Sequence, residues 1–159
     1  MIIRSATNSD CPQVQELVRS VLDEHGLAFD AGQTDADLAD IVGRYLTRGG
    51  LFEVVENEDR EIVGTAGLYP LSDGDCELRK MYLAKSVCGQ GLGKLLLDRL
   101  IQAARDRGFK RVVLETSSKL PAAISLYRKY GFVPFCAAHM STRCDQAWEL
   151  HLDADSLSI

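Results

Sequence analysis

None of the five cysteines (Cys11, Cys76, Cys88, Cys136, Cys144) stands in a CxxC pair. An odd count without paired spacing argues against a disulfide framework, and reduced thiols in a cytoplasm are the expectation. Cys136, His139 and Cys144 are near one another in sequence, but three scattered soft ligands do not make a zinc site, so no metal is expected. No apolar run approaches the length of a membrane span, and the opening MIIRSATNSD has no signal-peptide core, so neither a membrane nor secretion is expected. Positive charge is in short supply as well. The net charge of −5 speaks against nonspecific nucleic-acid binding.

What is present is an ordinary globular composition, 46% apolar and 26% charged, in 159 residues. That length suits a single domain over residues 1–159. The charge is segregated. Residues 76–132 carry twelve Lys/Arg against four Asp/Glu, a net of +8, while the rest of the chain nets −13. Solvated helix faces account for several of these charges, but a basic stretch around a glycine loop favours an anionic ligand there.

MIIRSAT reads as a first strand, followed by a helix in which Asn8, Ser9 or Asp10 is the cap and Pro12 suits the first turn. Val14, Leu17, Val18, Val21 and Leu22 give that helix its apolar stripe, and Gly26 stops it. A second helix is expected from near Thr34, with Leu38, Ile41, Val42 and Tyr45 on one face and Gly49-Gly50 at its end. LFEVVENEDREIVGTAGLYPL reads as a hairpin turning at 57–60. In the next strand, CELRKMYL, Leu78 has one parity while Met81 and Leu83 have the other. Such a phase switch predicts a β-bulge near Arg79–Lys80. A helix with Leu92, Leu95, Leu96, Leu100, Ala103 and Ala104 inward then runs to Gly108, and KRVVLET is a buried strand. Pro121 opens a last helix with Gly131 at its left-handed cap, and FVPFCA pairs antiparallel with DQAWELHLD. The class is α+β.

The stretch CGQGLGK, from Cys88 to Lys94, places three alternate glycines where a strand meets a helix. A Walker loop is excluded, because Cys88 stands where its first glycine belongs and Leu95 where its Ser/Thr belongs. A dinucleotide fingerprint is excluded by Lys94 and by the loop's place after four strands. The loop remains either a plain glycine-rich turn or a cradle whose free N–H groups and helix dipole hold a pyrophosphate.

Two stretches together carry a resemblance. ELRKMYLAKSVCGQGLGKLLLDRLI, then LPAAISLYRKYGF some thirty residues later, resemble the acetyl-CoA loop and the "LY.K.GF" helix of the GNAT superfamily of N-acetyltransferases. The resemblance extends over the chain and is most specific in 77–132. It implies a mixed, mostly antiparallel, twisted sheet of about seven strands with about four helices, splayed between the strands at 77–83 and 111–116. Acetyl-CoA would lie in that opening as co-substrate. Its pantetheine would pair with the backbone of Met81, Tyr82 and Leu83, and its pyrophosphate would sit on Cys88, Gly89, Gln90, Gly91, Leu92, Gly93 and Lys94.

The resemblance also implies chemistry: an amine attacks the thioester in a ternary complex, a backbone N–H near Met81 steadies the developing oxyanion, and Tyr127 protonates the departing thiolate. Glu77 matches a position where some members carry the general base, while others rely on water. Two positions depart from the pattern. Cys88 replaces the usual Arg or Gln, and Leu120 stands where many members have an Asn that contacts the cofactor. A non-catalytic CoA-binding module and a transferase for longer acyl groups remain alternatives. The acidic N-terminal helices would suit a polyamine, an aminoglycoside or a lysine side chain, whereas Arg79, His139 and Arg143 would suit a carboxylate on an amino-acid-like acceptor. A homodimer is common in the family.

Overall fold

The computed structural model describes residues 1–152. Seven strands form one sheet: β1 (Ile2–Ser5), β2 (Leu51–Glu56), β3 (Ile62–Pro70), β4 (Asp75–Leu83), β5 (Arg111–Thr116), β6 (Val133–Pro134) and β7 (Gln146–His151). Their order across the sheet is β1-β2-β3-β4-β5-β7-β6, with every neighbouring pair antiparallel except β4 and β5. Three α-helices cover it: α1 (Cys11–Glu24), α2 (Leu92–Asp106) and α3 (Pro121–Tyr130). The sheet is the mixed, open, mostly antiparallel one the sequence led us to expect. The expected last strand through Asp153 ends at His151, and Asp153 itself lies outside the described residues.

The one parallel pair explains the shape. β4 and β5 are joined by a helical crossover, and their register holds only at Asp75–Arg111, Cys76–Val112 and Glu77–Val113. At that closed end Arg111 bonds to Asp75 on one side and Glu149 on the other, each at 2.7 Å. Beyond Glu77 the β5-facing edge of β4 has no partner strand, so its backbone polar groups are left for something other than a ladder. This is the splay.

Two buried clusters lie on the two faces of the sheet. One gathers Leu96, Leu97, Leu100 and Ile101 of α2 with Leu78, Val112, Leu114 and Trp148. The other gathers Val14, Val18 and Leu22 of α1 with Leu38, Tyr45 and Phe52. At roughly 1.5–3 kcal/mol for each fully buried large side chain, these clusters hold the helices in place. In α2 the inward face is Leu92, Leu96, Leu97, Leu100, Ile101 and Ala104, while Leu95 is 48% exposed. The leucine run 95–97 offers adjacent candidates for one stripe, and the 100° step that serves Leu100 and Ala104 selects Leu96 and Leu97.

The expected helix from Thr34 is instead two short pieces, a 3₁₀ turn at Ala36–Ala39 and a wider turn at Val42–Leu46. Asp40, with φ −148°, breaks the run. Its Oδ1 accepts the Gly43 N–H at 2.9 Å, and Asn8 Oδ1 accepts the Val42 N–H at 2.9 Å. Side chains thus cap a second helical start in mid-pattern, which apolar spacing alone does not reveal.

The expected bulge is present. Gly67 pairs with Arg79 and Thr65 with Tyr82, so two residues of β4 oppose Ala66, and Lys80 has a positive φ of 55°. The Thr65 hydroxyl donates to the Lys80 carbonyl at 2.7 Å and holds the kink.

Candidate active site

The splay opens a cleft of about 300 Å³ lined from both strands, from the loop after α1 and from α3. Glu77, Arg79, Lys80, Met81 and Tyr82 come from β4, and Glu115 with Thr116 from β5. Tyr127 comes from α3, and Arg143 with Cys144 from the loop before β7. Below β4's end the chain makes a short turn and enters the glycine loop.

Gly91 is the N-cap of α2 with φ 78°, and Gly89 has the same φ. That left-handed backbone disfavours any residue with a Cβ. Apart from the adjoining chain, nothing lies within 4 Å of where a Cβ would stand at either glycine, so it is conformation, not crowding, that demands them. The first intrahelical bond is Leu95 N to Gly91 O at 3.2 Å, which leaves the amides of Leu92, Gly93 and Lys94 as free donors at the positive end of the helix dipole. Side chains do little here. Cys88 is exposed, and its thiol turns back toward the Ala84 carbonyl at 3.4 Å. Gln90 Nε2 donates to the Ser86 carbonyl at 3.4 Å, and Lys94 pairs with Asp98 at 3.0 Å. Much of the positive charge of 76–132 is consumed structurally in the same way: Arg99 pairs with Glu53, and Arg111 with Asp75 and Glu149. The free β4 edge at Met81, Tyr82 and Leu83 and the free amides of the loop fit an extended thiol-ended arm followed by a pyrophosphate.

Tyr127 is buried, 6% exposed, and it packs against Phe132 with ring centroids 5.7 Å apart. Burial, with the Tyr82 hydroxyl and the Cys144 thiol nearby, pushes its pKa well above the ordinary 10. Its phenol is therefore protonated at neutral pH, a proton donor facing the cleft. Glu77 lines the same cleft from β4. Burial raises its carboxyl pKa, the Arg79 guanidinium pulls the other way, and Glu115 adds to the rise. Arg79 Nε donates to Glu77 Oε1 at 2.5 Å, while its guanidinium stacks 3.8 Å from the Tyr69 ring centroid.

The bulge turns Lys80 inward, where it is 9% exposed. Its Nζ donates to the Thr34 carbonyl at 3.0 Å and pairs with Asp35 at 3.4 Å and Asp37 at 3.3 Å. Asp37 accepts a short hydrogen bond from the Tyr45 hydroxyl, and Asp35 is clamped by both terminal nitrogens of Arg143. Arg143 pairs hold the Asp35 carboxyl below its usual range, although burial pushes the other way more than any single contact. The N-terminal acidic segment is thus tied across the cleft to the 143 loop. Of the three residues considered for a carboxylate on the acceptor, Arg143 is spent on Asp35, His139 is exposed and does not line the cleft, and Arg79 does line it. Leu120 lines it too, at the start of α3. Lys80, Asp35, Asp37 and Glu115 were missed in the sequence. The parity fault in β4 pointed to Lys80, but nothing marked the two aspartates in an acidic stretch as buried.

Known proteins share this fold. Residues 17–132 match the family model described as the acetyltransferase (GNAT) family. The chain is 40% identical over 136 residues to the Escherichia coli K12 protein named "Uncharacterized N-acetyltransferase YjgM", covering 82% of this chain and 81% of that one. A GNAT-family acetyltransferase of Staphylococcus aureus Mu50 superposes with a TM-score of 0.90 at 25% identity, covering 96% of this chain and 99% of that one. Salmonella typhimurium YncA, solved with its cofactor acetyl-CoA, superposes with a TM-score of 0.70 at 28% identity, covering 96% and 94%.

Proposed function

Because the chain belongs to the GNAT family of acetyltransferases and is an N-acetyltransferase, we propose that it moves the acetyl group of acetyl-CoA directly onto a primary amine. Both substrates are held at once in the cleft between β4 and β5. One observation carries this reading: a protonated, buried Tyr127 and a half-buried Glu77 line the same cleft, where the open β4 edge runs down into the glycine loop.

In this reading each group has one task. Amides of Leu92, Gly93 and Lys94 hold the pyrophosphate, and the free edge at Met81–Leu83 orients the pantetheine arm. Acetyl-CoA supplies the activated acyl group. Glu77 takes the proton that the attacking ammonium must lose, its raised pKa bringing it nearer to that of its partner. A backbone N–H beside the bulge steadies the negative charge that grows on the thioester oxygen. Tyr127 gives its proton to the sulfur as the carbon–sulfur bond breaks, and no acyl-enzyme is needed.

The test is initial-rate measurement of free thiol release from acetyl-CoA over a panel of amines. Amine-dependent release is expected, with the acetylated amine recovered by mass spectrometry. Binding of acetyl-CoA without release for any amine would instead leave a CoA-binding module.

A further inference from the structure

The cleft does not present its charges evenly. Lys80 is balanced by Asp35 and Asp37, and Arg143 is clamped on Asp35, so neither cation is available to an incoming molecule. Three charged groups remain, all on one face. The β4–β5 register aligns Glu77 with Val113, and Arg79 and Glu115 each stand two residues further along their strands, so all three side chains project to the same side of the sheet. Glu115 takes its hydrogen bonds from Ser141, the N–H at 2.8 Å and the hydroxyl at 3.3 Å, and not from a cation. Arg79 spends only Nε, on Glu77. Beyond that bond the guanidinium has the buried Tyr45 hydroxyl within hydrogen-bonding reach, and among the described residues its terminal nitrogens pair with no carboxylate. The Tyr69 ring beneath it and the Glu77 bond beside it fix the plane of the guanidinium. A planar guanidinium, already immobilised, 30% exposed and lining the cleft without a carboxylate on its terminal nitrogens, is suited to one.

We infer that the acceptor is a free α-amino acid, its carboxylate on the terminal nitrogens of Arg79 and its amino group between Glu77 and Glu115. This rests on the acetyl-transfer reading above. The adjacency of the two subsites sets the class. Arg79 and Glu77 touch, so the groups they receive must be close neighbours in the acceptor, as an amino group and a carboxylate on one carbon are. A polyamine or an aminoglycoside offers no carboxylate to the guanidinium, and a lysine side chain in a protein carries none near its amine. In the reaction the ammonium loses one proton to the free oxygen of Glu77. Its lone pair forms the N–C bond as the C–S bond breaks, the thiolate takes the Tyr127 proton, and the second proton shed by the acylated nitrogen passes through solvent to restore the Tyr127 phenol. The products are an N-acetyl amino acid and CoA.

The experiment measures kcat/KM with acetyl-CoA for the proteinogenic L-amino acids, each paired with its decarboxylated amine and its carboxamide. For the preferred amino acid, removing the carboxylate should cost about a hundredfold, because a site built to bond a polar group rejects the analogue lacking it. In Arg79→Gln the amino acid's KM should rise and most of its advantage over the paired amine should vanish, with Arg79→Lys between the two. Calorimetric affinity for acetyl-CoA reports whether either variant has kept its fold. Equal rates for amino acids and their decarboxylated partners, or preference for polyamines, would overturn this inference while leaving acetyl transfer intact. Release with no amine at all would overturn both.

Discussion

At the glycine loop the side chains contribute almost nothing: Cys88 and Gln90 bond back to nearby carbonyls, and the free donors are backbone amides. At the bulge of β4 the side chains contribute nearly everything, with Lys80, Asp35, Asp37, Arg143 and Tyr45 joined in one buried network. The first region requires only that certain positions be glycine. The second requires that each charge meet its partner. A backbone-built subsite should therefore shrug off most side-chain changes, and a side-chain-built one should not.

The largest expected effect is at the chemistry between the two regions. Tyr127→Phe keeps the packing on Phe132 and removes the proton donor, so kcat should fall about 10²–10⁴-fold while acetyl-CoA affinity is unchanged. A variant with unaltered kcat would take Tyr127 out of the mechanism and leave water as the acid.

Next comes the network. Lys80→Met leaves Asp35 and Asp37 without their buried cation and should lower unfolding stability by about 3–5 kcal/mol, read from denaturant titration. A loss well under 1 kcal/mol would mean that Arg143 alone compensates both carboxylates.

Glu77→Gln should cost on the order of ten- to a hundredfold in kcat/KM at neutral pH. Because burial raises the pKa of Glu77, wild-type kcat/KM should climb as pH rises through a value above the ordinary carboxylate range, and that limb should vanish in the variant. The deficit should shrink as pH approaches the amine's own pKa, where no base is required. A deficit equal at every pH would indicate structural damage.

The two regions were not equally legible in the sequence. The glycines of 88–94 and the LYRKYGF stretch are local strings whose backbone demands show at once, and the parity fault at Leu78–Met81 announced the bulge. The network was hidden. Asp35 and Asp37 sit in an acidic stretch that resembles solvated surface, and only the fold carries them to Lys80, some 45 positions on. The broken helix at Asp40 was hidden for the same reason, since one of its caps is Asn8 from a distant segment. Arg143 could be named as a cation near the acceptor, but its partner Asp35 could not.

The most direct test of the contrast is acetyl-CoA affinity measured by calorimetry on Cys88→Ala and Gly91→Val side by side. Gly91 has φ 78° and open space where a Cβ would stand, so a β-branched side chain there would strain the backbone and, if the amides beside it cradle the pyrophosphate, block them. The expected result is a Kd within about threefold of wild type for Cys88→Ala, whose thiol makes only a weak contact with a carbonyl, and a Kd weakened more than about thirtyfold for Gly91→Val. If Cys88→Ala abolishes binding while Gly91→Val is silent, the cofactor is not held by a backbone cradle.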